Sequence, residues 1–196
     1  VNERPNGLEH GMHDRTTATT GPDPEFPYVI IGRGKEDIYR WDLPRTAHRV
    51  ATNFDYPEDG EPTRVIVPDL VDDPTGQIYH AHAFPYEGIW VGLFQWYWET
   101  EDPWGEMELI TSRDTVNWDR IEPRTSFLPP SQDQSAFDSR ITDTALSPPI
   151  RTVGGAMPMS WGGMNGLWFY YWGGPAMHGN RHLTFGRSLG MAQLRA

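Results

Sequence analysis

The sequence predicts an all-β fold built from short antiparallel strands. Apolar and aromatic runs rich in Trp, Tyr, Val and Ile recur along the chain, and residues of these types favour strands. The 196 residues include 20 Gly and 18 Pro, which indicates many turns and few long helices. No window shows a sustained apolar period of about 3.6 residues, so we do not expect packed helices.

The stretch from Ile78 to Trp118 contains the repeating unit of this fold. Its predicted strands are residues 78–84, 89–98, 107–111 and a strand that begins at Trp118. We expect a tight turn at 113–115, within the sequence SRDTVNW, between two of these antiparallel strands. Four short antiparallel strands within about 45 residues are typical of one blade of a β-propeller.

Composition excludes several classes of partner. The net charge of −11 argues against a nucleic acid held by phosphate contacts, and equally against an anionic membrane surface. The chain has no Cys, which excludes disulfides and thiolate metal sites. No apolar run approaches about 18 residues, so no membrane span is expected. Neutral polar ligands such as carbohydrates remain compatible, and no cofactor is predicted.

The chain divides into a polar arm and one larger domain. Residues 1–27 are predicted to form an extended arm, and residues 28–196 a propeller domain of two to four blades. GIWVGLFQWYW followed by EMELITSRD parallels GLWFYYWGG followed by LGMAQLRA, and an earlier degenerate copy falls within 28–67. Such repeats predict stacked units that cannot bury their faces alone.

The sequence leaves the cellular location unknown. The chain does not begin with Met, and no signal peptide is visible. A secreted or periplasmic location is favoured if a signal peptide has been removed.

Five runs of the sequence resemble a known family. YEGIWVGL, ELITSRDTVNW, SAFDS, WFYYWGG and GMAQLRA are similar to the five-bladed β-propeller glycoside hydrolases of families 32 and 43, most of all an uncharacterised family 32-like branch. The resemblance covers residues 38–196 and implies a carbohydrate-active O-glycosyl hydrolase. At about 45–60 residues per blade the chain is too short for five blades. We therefore expect self-association or further chain segments to cover the open blade faces.

The resemblance also implies a catalytic pair of carboxylates. Glycosidic hydrolysis uses two carboxyl groups that flank the scissile bond. By resemblance, Glu87 in Tyr-Glu-Gly is the proton donor, and Asp138 in Phe-Asp-Ser, at the start of the next inner strand, is the second carboxylate. Tyr86 and Trp90 are expected to form apolar walls that keep the donor protonated. The predicted substrate-binding residues are His80, His82, Tyr86, Trp90 and Arg140.

Two other readings of the sequence stay open. One is a sugar-binding propeller without catalysis. The other is a metal-binding cupin, because His80, His82 and Glu87 match a cupin ligand spacing and a strand period of two places both His on one face. The acidic group of Asp69, Asp72 and Asp73 lacks the alternating spacing of a calcium loop, and we interpret it as a solvated turn.

Overall fold

Three antiparallel β-sheets make up the part of the chain that the computed structural model describes. Those residues are 12–13, 19–34, 46–52, 62–98, 104–129, 131–133, 135–138, 151–152, 157–161, 164–173 and 188–195. The strands are β1 (Met12–His13), β2 (Thr19–Thr20), β3 (Tyr28–Gly34), β4 (Ala47–Thr52), β5 (Thr63–Ile66), β6 (Gly76–Tyr86), β7 (Ile89–Trp98), β8 (Trp104–Ser112), β9 (Trp118–Arg120), β10 (Arg151–Thr152), β11 (Met157–Trp161), β12 (Met164–Gly173) and β13 (Ser188–Arg195). The described residues are all-β, as predicted, and none belongs to a helix that could cross a membrane.

The first sheet contains β1 to β5, the second β6 to β9 and the third β10 to β13. In the first sheet, β1 and β2 pair with one edge of β3, and β4 and β5 continue from the other. The third sheet has a similar plan, because β10 and β11 pair with one edge of β12 and β13 with the other. Over the described residues the sheets do not close into a ring, so the observed architecture is three open sheets.

The second sheet has the strand order that the sequence predicts. β6, β7, β8 and β9 follow one another, and each neighbouring pair is antiparallel. β8 ends at Ser112 and β9 begins at Trp118, so SRDTVNW forms the predicted turn. The internal repeat also falls on equivalent elements, because β7–β8 and β12–β13 are both adjacent antiparallel pairs.

β7 packs on both faces because the second sheet contributes to two hydrophobic clusters. The cluster with the first sheet includes Val29, Ile31, Ala47, Phe94 and Trp96. The cluster with the third sheet includes Val91, Leu93, Leu167, Phe169 and Tyr171. A strand that is covered on both faces needs apolar residues at successive positions rather than at every second position. This explains why the sequence of β7 is apolar along most of its length.

Trp118 fills space beside a glycine of β7. An added Cβ at Gly92 would lie 2.9 Å from the Trp118 ring, and the indole N–H donates to the Thr115 carbonyl oxygen at 3.0 Å. Because Trp118 is half-buried, we expect Trp118→Ala to lower the free energy of unfolding by about 2 kcal/mol, below the cost of removing a fully buried aromatic. Urea unfolding measures the loss, and Trp118→Phe should recover part of it. An alanine variant as stable as the parent would contradict this packing.

Asp114 caps the turn between β8 and β9. Its Oδ1 accepts the backbone N–H groups of Val116 at 2.8 Å and Asn117 at 2.7 Å, and Oδ2 accepts the Asn117 side-chain amide at 2.6 Å. The hydrogen bonds from Asn117, followed by the one from Val116, lower the pKa of Asp114 from 3.8 to about 2. These bonds favour the ionised carboxylate, so the turn is most stable when Asp114 is charged.

The lowered pKa of Asp114 determines how its contribution to the free energy of unfolding changes with pH. Because the folded-state pKa is depressed, the contribution of Asp114 is fully present above about pH 4 and is lost as the pH falls toward 2. We expect Asp114→Asn to cost about 1 kcal/mol at pH 7 and almost nothing at pH 2. Urea unfolding from pH 2 to 7 checks this, with the exposed Asp119→Asn as the matched control. A cost of the same size at every pH would contradict a charge-dependent cap.

Candidate functional site

Asp138 lies in a turn formed by residues 135–138, beside the third sheet. Residues 136–138 are not in a strand, and the rest of the predicted strand segment, 139–143, lies outside the described residues. Asp138 is only 8% exposed, and its Oδ2 accepts a hydrogen bond from the Tyr171 hydroxyl at 2.7 Å. The ring of Phe137 stacks on Tyr171, with centroids 5.8 Å apart and an interplanar angle of 24°. Asp138 is thus a carboxylate whose orientation is set by β12.

The hydroxyl of Tyr171 remains a donor to this carboxylate. Burial raises the pKa of Tyr171 most, and the hydrogen bond and negative charge of Asp138 raise it further. The backbone of β13 also approaches the ring closely, because an added Cβ at Gly190 would lie 2.5 Å from Tyr171. Phe137, Tyr171 and Gly190 therefore fit together around Asp138, and a larger residue in place of Gly190 would displace them.

Glu87 occupies the two-residue turn between β6 and β7. It has a φ of 45°, and Gly88 has a φ of 83°. Positive φ at both central residues matches the hairpin turn whose twist suits antiparallel strands. Asn, Asp and Gly tolerate this left-handed region much better than Glu does. The side chain of Glu87 is exposed at this end of the second sheet.

His80 and His82 lie on one face of β6, as the period of two predicts. They pair across the strands with Gln95 and Leu93, and their ring centroids are 6.4 Å apart. His82 is 1% exposed. Burial, and to a lesser degree the charge of His80, lowers the pKa of His82 to about 3. His82 is therefore a neutral side chain at ordinary pH, and His80 is the more accessible of the two.

The structure does not bring Tyr86 and Trp90 to one face of the second sheet. Tyr86 pairs with Ile89, and Trp90 pairs with Pro85, so the two aromatic residues point to opposite sides. Tyr86 packs against the cluster shared with the third sheet. Trp90 donates its indole N–H to the Thr20 carbonyl oxygen of the first sheet at 2.8 Å. Arg140 lies outside the described residues.

The cupin ligand set is not assembled in the described part of the chain. His82 is buried in the sheet, whereas Glu87 lies on an exposed turn. Among the described residues, no group of three or more His, Asp or Glu side chains is placed to hold a metal ion. His80, His82 and Glu87 therefore match the cupin ligands only in their spacing along the sequence. In the structure, the two His lie within β6 and Glu87 lies on the turn that follows it.

A second group of residues surrounds a cavity of about 210 Å³ near the opposite end of the second sheet from Glu87. We call this cavity the tryptophan–arginine cleft. The residues that define it are Asp72, Asp73, Trp96, Trp98, Glu106 and Arg120. Arg120 bridges Asp72 at 2.7 Å and Glu108 at 2.8 Å, and its guanidinium lies 5.3 Å from the Trp96 ring centroid.

Sequence reasoning missed this cleft. Asp69, Asp72 and Asp73 were interpreted as a solvated turn, yet the side chain of Asp72 is only 5% exposed and is paired with Arg120. The pattern that could have indicated the cleft lies in the sequence of β8, where Glu106 and Glu108 alternate with apolar residues. Both lie opposite aromatic residues of β7. A charge on such a face requires a partner, but the sequence does not identify which Arg supplies it.

Comparison with known proteins shows the fold type. No family model and no curated protein matches this sequence. The chain is similar to an N-acetylgalactosamine deacetylase from F. plautii, whose structure is a complex with blood group B trisaccharide, at 16% identity and a TM-score of 0.57. That match covers 93% of this chain and 50% of that chain.

Two further solved structures are more distant. A glycoside hydrolase matches at 10% identity and a TM-score of 0.49, over 98% of this chain and 56% of that chain. A glycosyl hydrolase from Bacteroides ovatus matches at 13% identity and a TM-score of 0.42, over 82% of this chain and 43% of that chain. The chain spans about half the length of the solved structures that it matches. At these identities, the likeness to the deacetylase establishes a shared all-β fold.

Proposed function

We propose that this chain belongs to a carbohydrate-active β-propeller and that its three sheets are blades of the five-bladed glycoside hydrolase type. The observation that carries the proposal is the backbone likeness to the F. plautii deacetylase over 93% of the chain, a protein whose structure holds a trisaccharide. The four-stranded order β6–β9, with another sheet packed on each face, is the arrangement expected of one blade between two others.

Asp138 is the carboxylate that we propose orients the sugar. Its burial and the hydrogen bond from Tyr171 hold it in one position, as positioning of a substrate hydroxyl requires. Its role is therefore to accept hydrogen bonds from the ligand, with His80 and Arg140 proposed as further hydroxyl-binding residues. Tyr171 acts through Asp138 and is a positioning residue.

Glu87 is the proposed proton donor. The support is its backbone: a Glu at φ 45° occupies a position where Asn would be less strained, and such strain is concentrated at functional sites. The turn also leaves the carboxyl group open to a ligand that approaches this end of the second sheet. Hydrolysis in this proposal requires Glu87 and Asp138 to flank one glycosidic bond, about 5–10 Å apart.

The experiment combines turnover and binding in the purified chain. Chromogenic glycosides report hydrolysis, and calorimetric titration with oligosaccharides reports binding. We expect Asp138→Asn and Glu87→Gln each to lower kcat/KM at least tenfold, and Tyr171→Phe to have a smaller effect of the same kind. Glu87→Asn removes the carboxyl group while easing the turn, so its loss of activity would not reflect unfolding. Asp133→Asn, in an exposed turn, is the control.

The outcomes separate the two carbohydrate functions. Turnover that depends on both carboxylates supports a glycosidase. Saccharide binding that needs Asp138, without turnover of any glycoside, supports the non-catalytic sugar-binding propeller. If the parent protein neither binds nor hydrolyses any saccharide tested, the proposed function is wrong.

A further inference from the structure

The tryptophan–arginine cleft combines an aromatic wall, a polar floor and a carboxylate rim. We infer that it is a binding site for one neutral sugar unit, distinct from the region of Asp138. This inference shares its ligand class with the proposed function and rests on it in that respect. It requires no catalytic role for Glu87 or Asp138.

Arg120 forms the floor of the cleft and has unused hydrogen-bonding capacity. Its side chain is 8% exposed, and its two terminal nitrogens donate to Asp72 and Glu108. The third nitrogen, Nε, is buried and has no hydrogen-bond partner. A buried N–H group without a partner is unfavourable, so a hydroxyl oxygen that enters the cleft and accepts this bond would be favoured.

Trp98 supplies a half-buried ring as the wall. Its indole N–H donates to Asp73 Oδ2 at 3.0 Å. Its ring meets Trp96 edge-on, with centroids 6.2 Å apart and an interplanar angle of 78°. Asp73 is itself fixed, because Oδ1 accepts the backbone N–H and the hydroxyl of Thr75 at 2.9 and 2.7 Å. The ring is therefore held in place before a ligand arrives, which lowers the entropic cost of binding.

The charges around the cleft select a neutral ligand. The lining includes four carboxylates and two guanidinium groups, namely Asp72, Asp73, Glu106, Glu108, Arg120 and Arg124. The acidic excess disfavours phosphate or carboxylate ligands, and the guanidinium at the floor disfavours an organic cation. Among the described residues, no group is suited to a metal ion. Hydroxyl groups, in contrast, can donate to carboxylates and accept from Arg120 Nε.

The size of the cleft suits a single sugar ring. Its volume is about 210 Å³. Ligand sites commonly pair apolar or aromatic walls with a few placed polar groups. A pyranose fits this pattern, because its C–H face can lie against Trp98 while its hydroxyl groups face the carboxylates.

Fluorine NMR of the full chain, with its nine tryptophans replaced by 5-fluorotryptophan, tests the inference. The probes are the methyl glycosides of galactose, glucose and N-acetylgalactosamine, and Trp98→Phe identifies the Trp98 resonance. We expect at least one probe to shift this resonance saturably. Trp98→Ala and Asp73→Asn should each raise the Kd for this probe at least tenfold. Because Trp98→Ala removes the Trp98 resonance, binding to that variant is measured from the resonance of Trp96. Asp133→Asn is the matched control, because Asp133 Oδ1 makes the same pair of bonds, to Ser135, at 2.9 and 2.7 Å.

A second variant separates this inference from the proposed function. The Trp98 shift should persist unchanged in Asp138→Asn. Saccharide binding that is lost in Asp138→Asn but leaves the Trp98 resonance unmoved overturns the cleft and retains the proposed function. A Trp98 shift that Asp73→Asn and Asp133→Asn weaken equally also overturns it. If no probe moves any resonance of a protein that hydrolyses or binds larger saccharides, the cleft inference alone is wrong.

Discussion

Arg120→Ala is expected to lower the free energy of unfolding by about 3–5 kcal/mol, the usual cost of removing one partner from a buried ion pair. Arg120 bridges Asp72 and Glu108, and the side chains of all three residues are 5–8% exposed. Removing the guanidinium takes the ion-pair partner from Glu108 and leaves Asp72 with only the longer contact from Arg124, at 3.2 Å. Burial already raises the pKa of Glu108, and the hydrogen bond from Arg120 opposes that rise.

The cost of Arg120→Ala should shrink as the pH falls. Burial already raises the folded-state pKa of Glu108, and without Arg120 it should rise further, so protonation restores stability at acidic pH. Urea unfolding at pH 7 and pH 4 measures this difference. The triple variant Asp72→Asn, Glu108→Gln, Arg120→Met removes the charges of these three side chains and should recover much of the loss. If Arg120→Ala and the triple variant are equally stable, unpaired charge is not the cause of the stability loss in Arg120→Ala.

A neighbouring arginine serves as the control for burial. Arg124 contacts Asp69 at 2.8 Å and Asp72 at 3.2 Å, but its own side chain is 17% exposed and that of its shorter-range partner Asp69 is 45% exposed. Exposed ion pairs contribute about 0–1 kcal/mol, so Arg124→Ala should cost much less than Arg120→Ala. The comparison tests whether burial, rather than the number of ion pairs, decides the stability of this region.

The second sheet could be predicted from sequence because its signals are local. The aromatic run of β7, the turn SRDTVNW and the shared face of His80 and His82 each depend on residues within a few positions of one another. The turn at Asp114 is equally local, since its carboxylate caps backbone groups two and three residues ahead. Propensity and periodicity act over this range, so these predictions agree with the structure.

The pairings that build the sites are not local. Asp138 meets Tyr171 at a separation of 33 residues, and Arg120 meets Asp72 at a separation of 48. Nothing in the local pattern of either segment specifies such a partner. Tyr86 and Trp90 illustrate the reverse error, because they are close in sequence but the hairpin register places them on opposite faces. The closure of a ring depends on further long-range contacts.

Phe94→Ala is the second change with a large expected effect, a loss of about 3–5 kcal/mol, as for other buried aromatic residues. Phe94 is 0% exposed at the centre of β7. Its ring meets Trp96 edge-on, with centroids 6.2 Å apart, and the Arg120 guanidinium lies 5.2 Å from its centroid. Truncation therefore opens a cavity in the cluster shared with the first sheet and removes one aromatic ring from beside a buried cation.

Phe94→Leu separates these two contributions. Leucine keeps much of the buried volume but has no π face, so its cost should be about 1 kcal/mol, close to that of one cation–π contact. Because Phe94 and Arg120 touch, their effects should not add, and a double-mutant cycle of Phe94→Leu with Arg120→Met, read by urea unfolding, measures the coupling. A coupling energy of zero would show that the guanidinium gains nothing from the ring. A loss below about 1 kcal/mol for Phe94→Ala would contradict its place in the core between the first and second sheets.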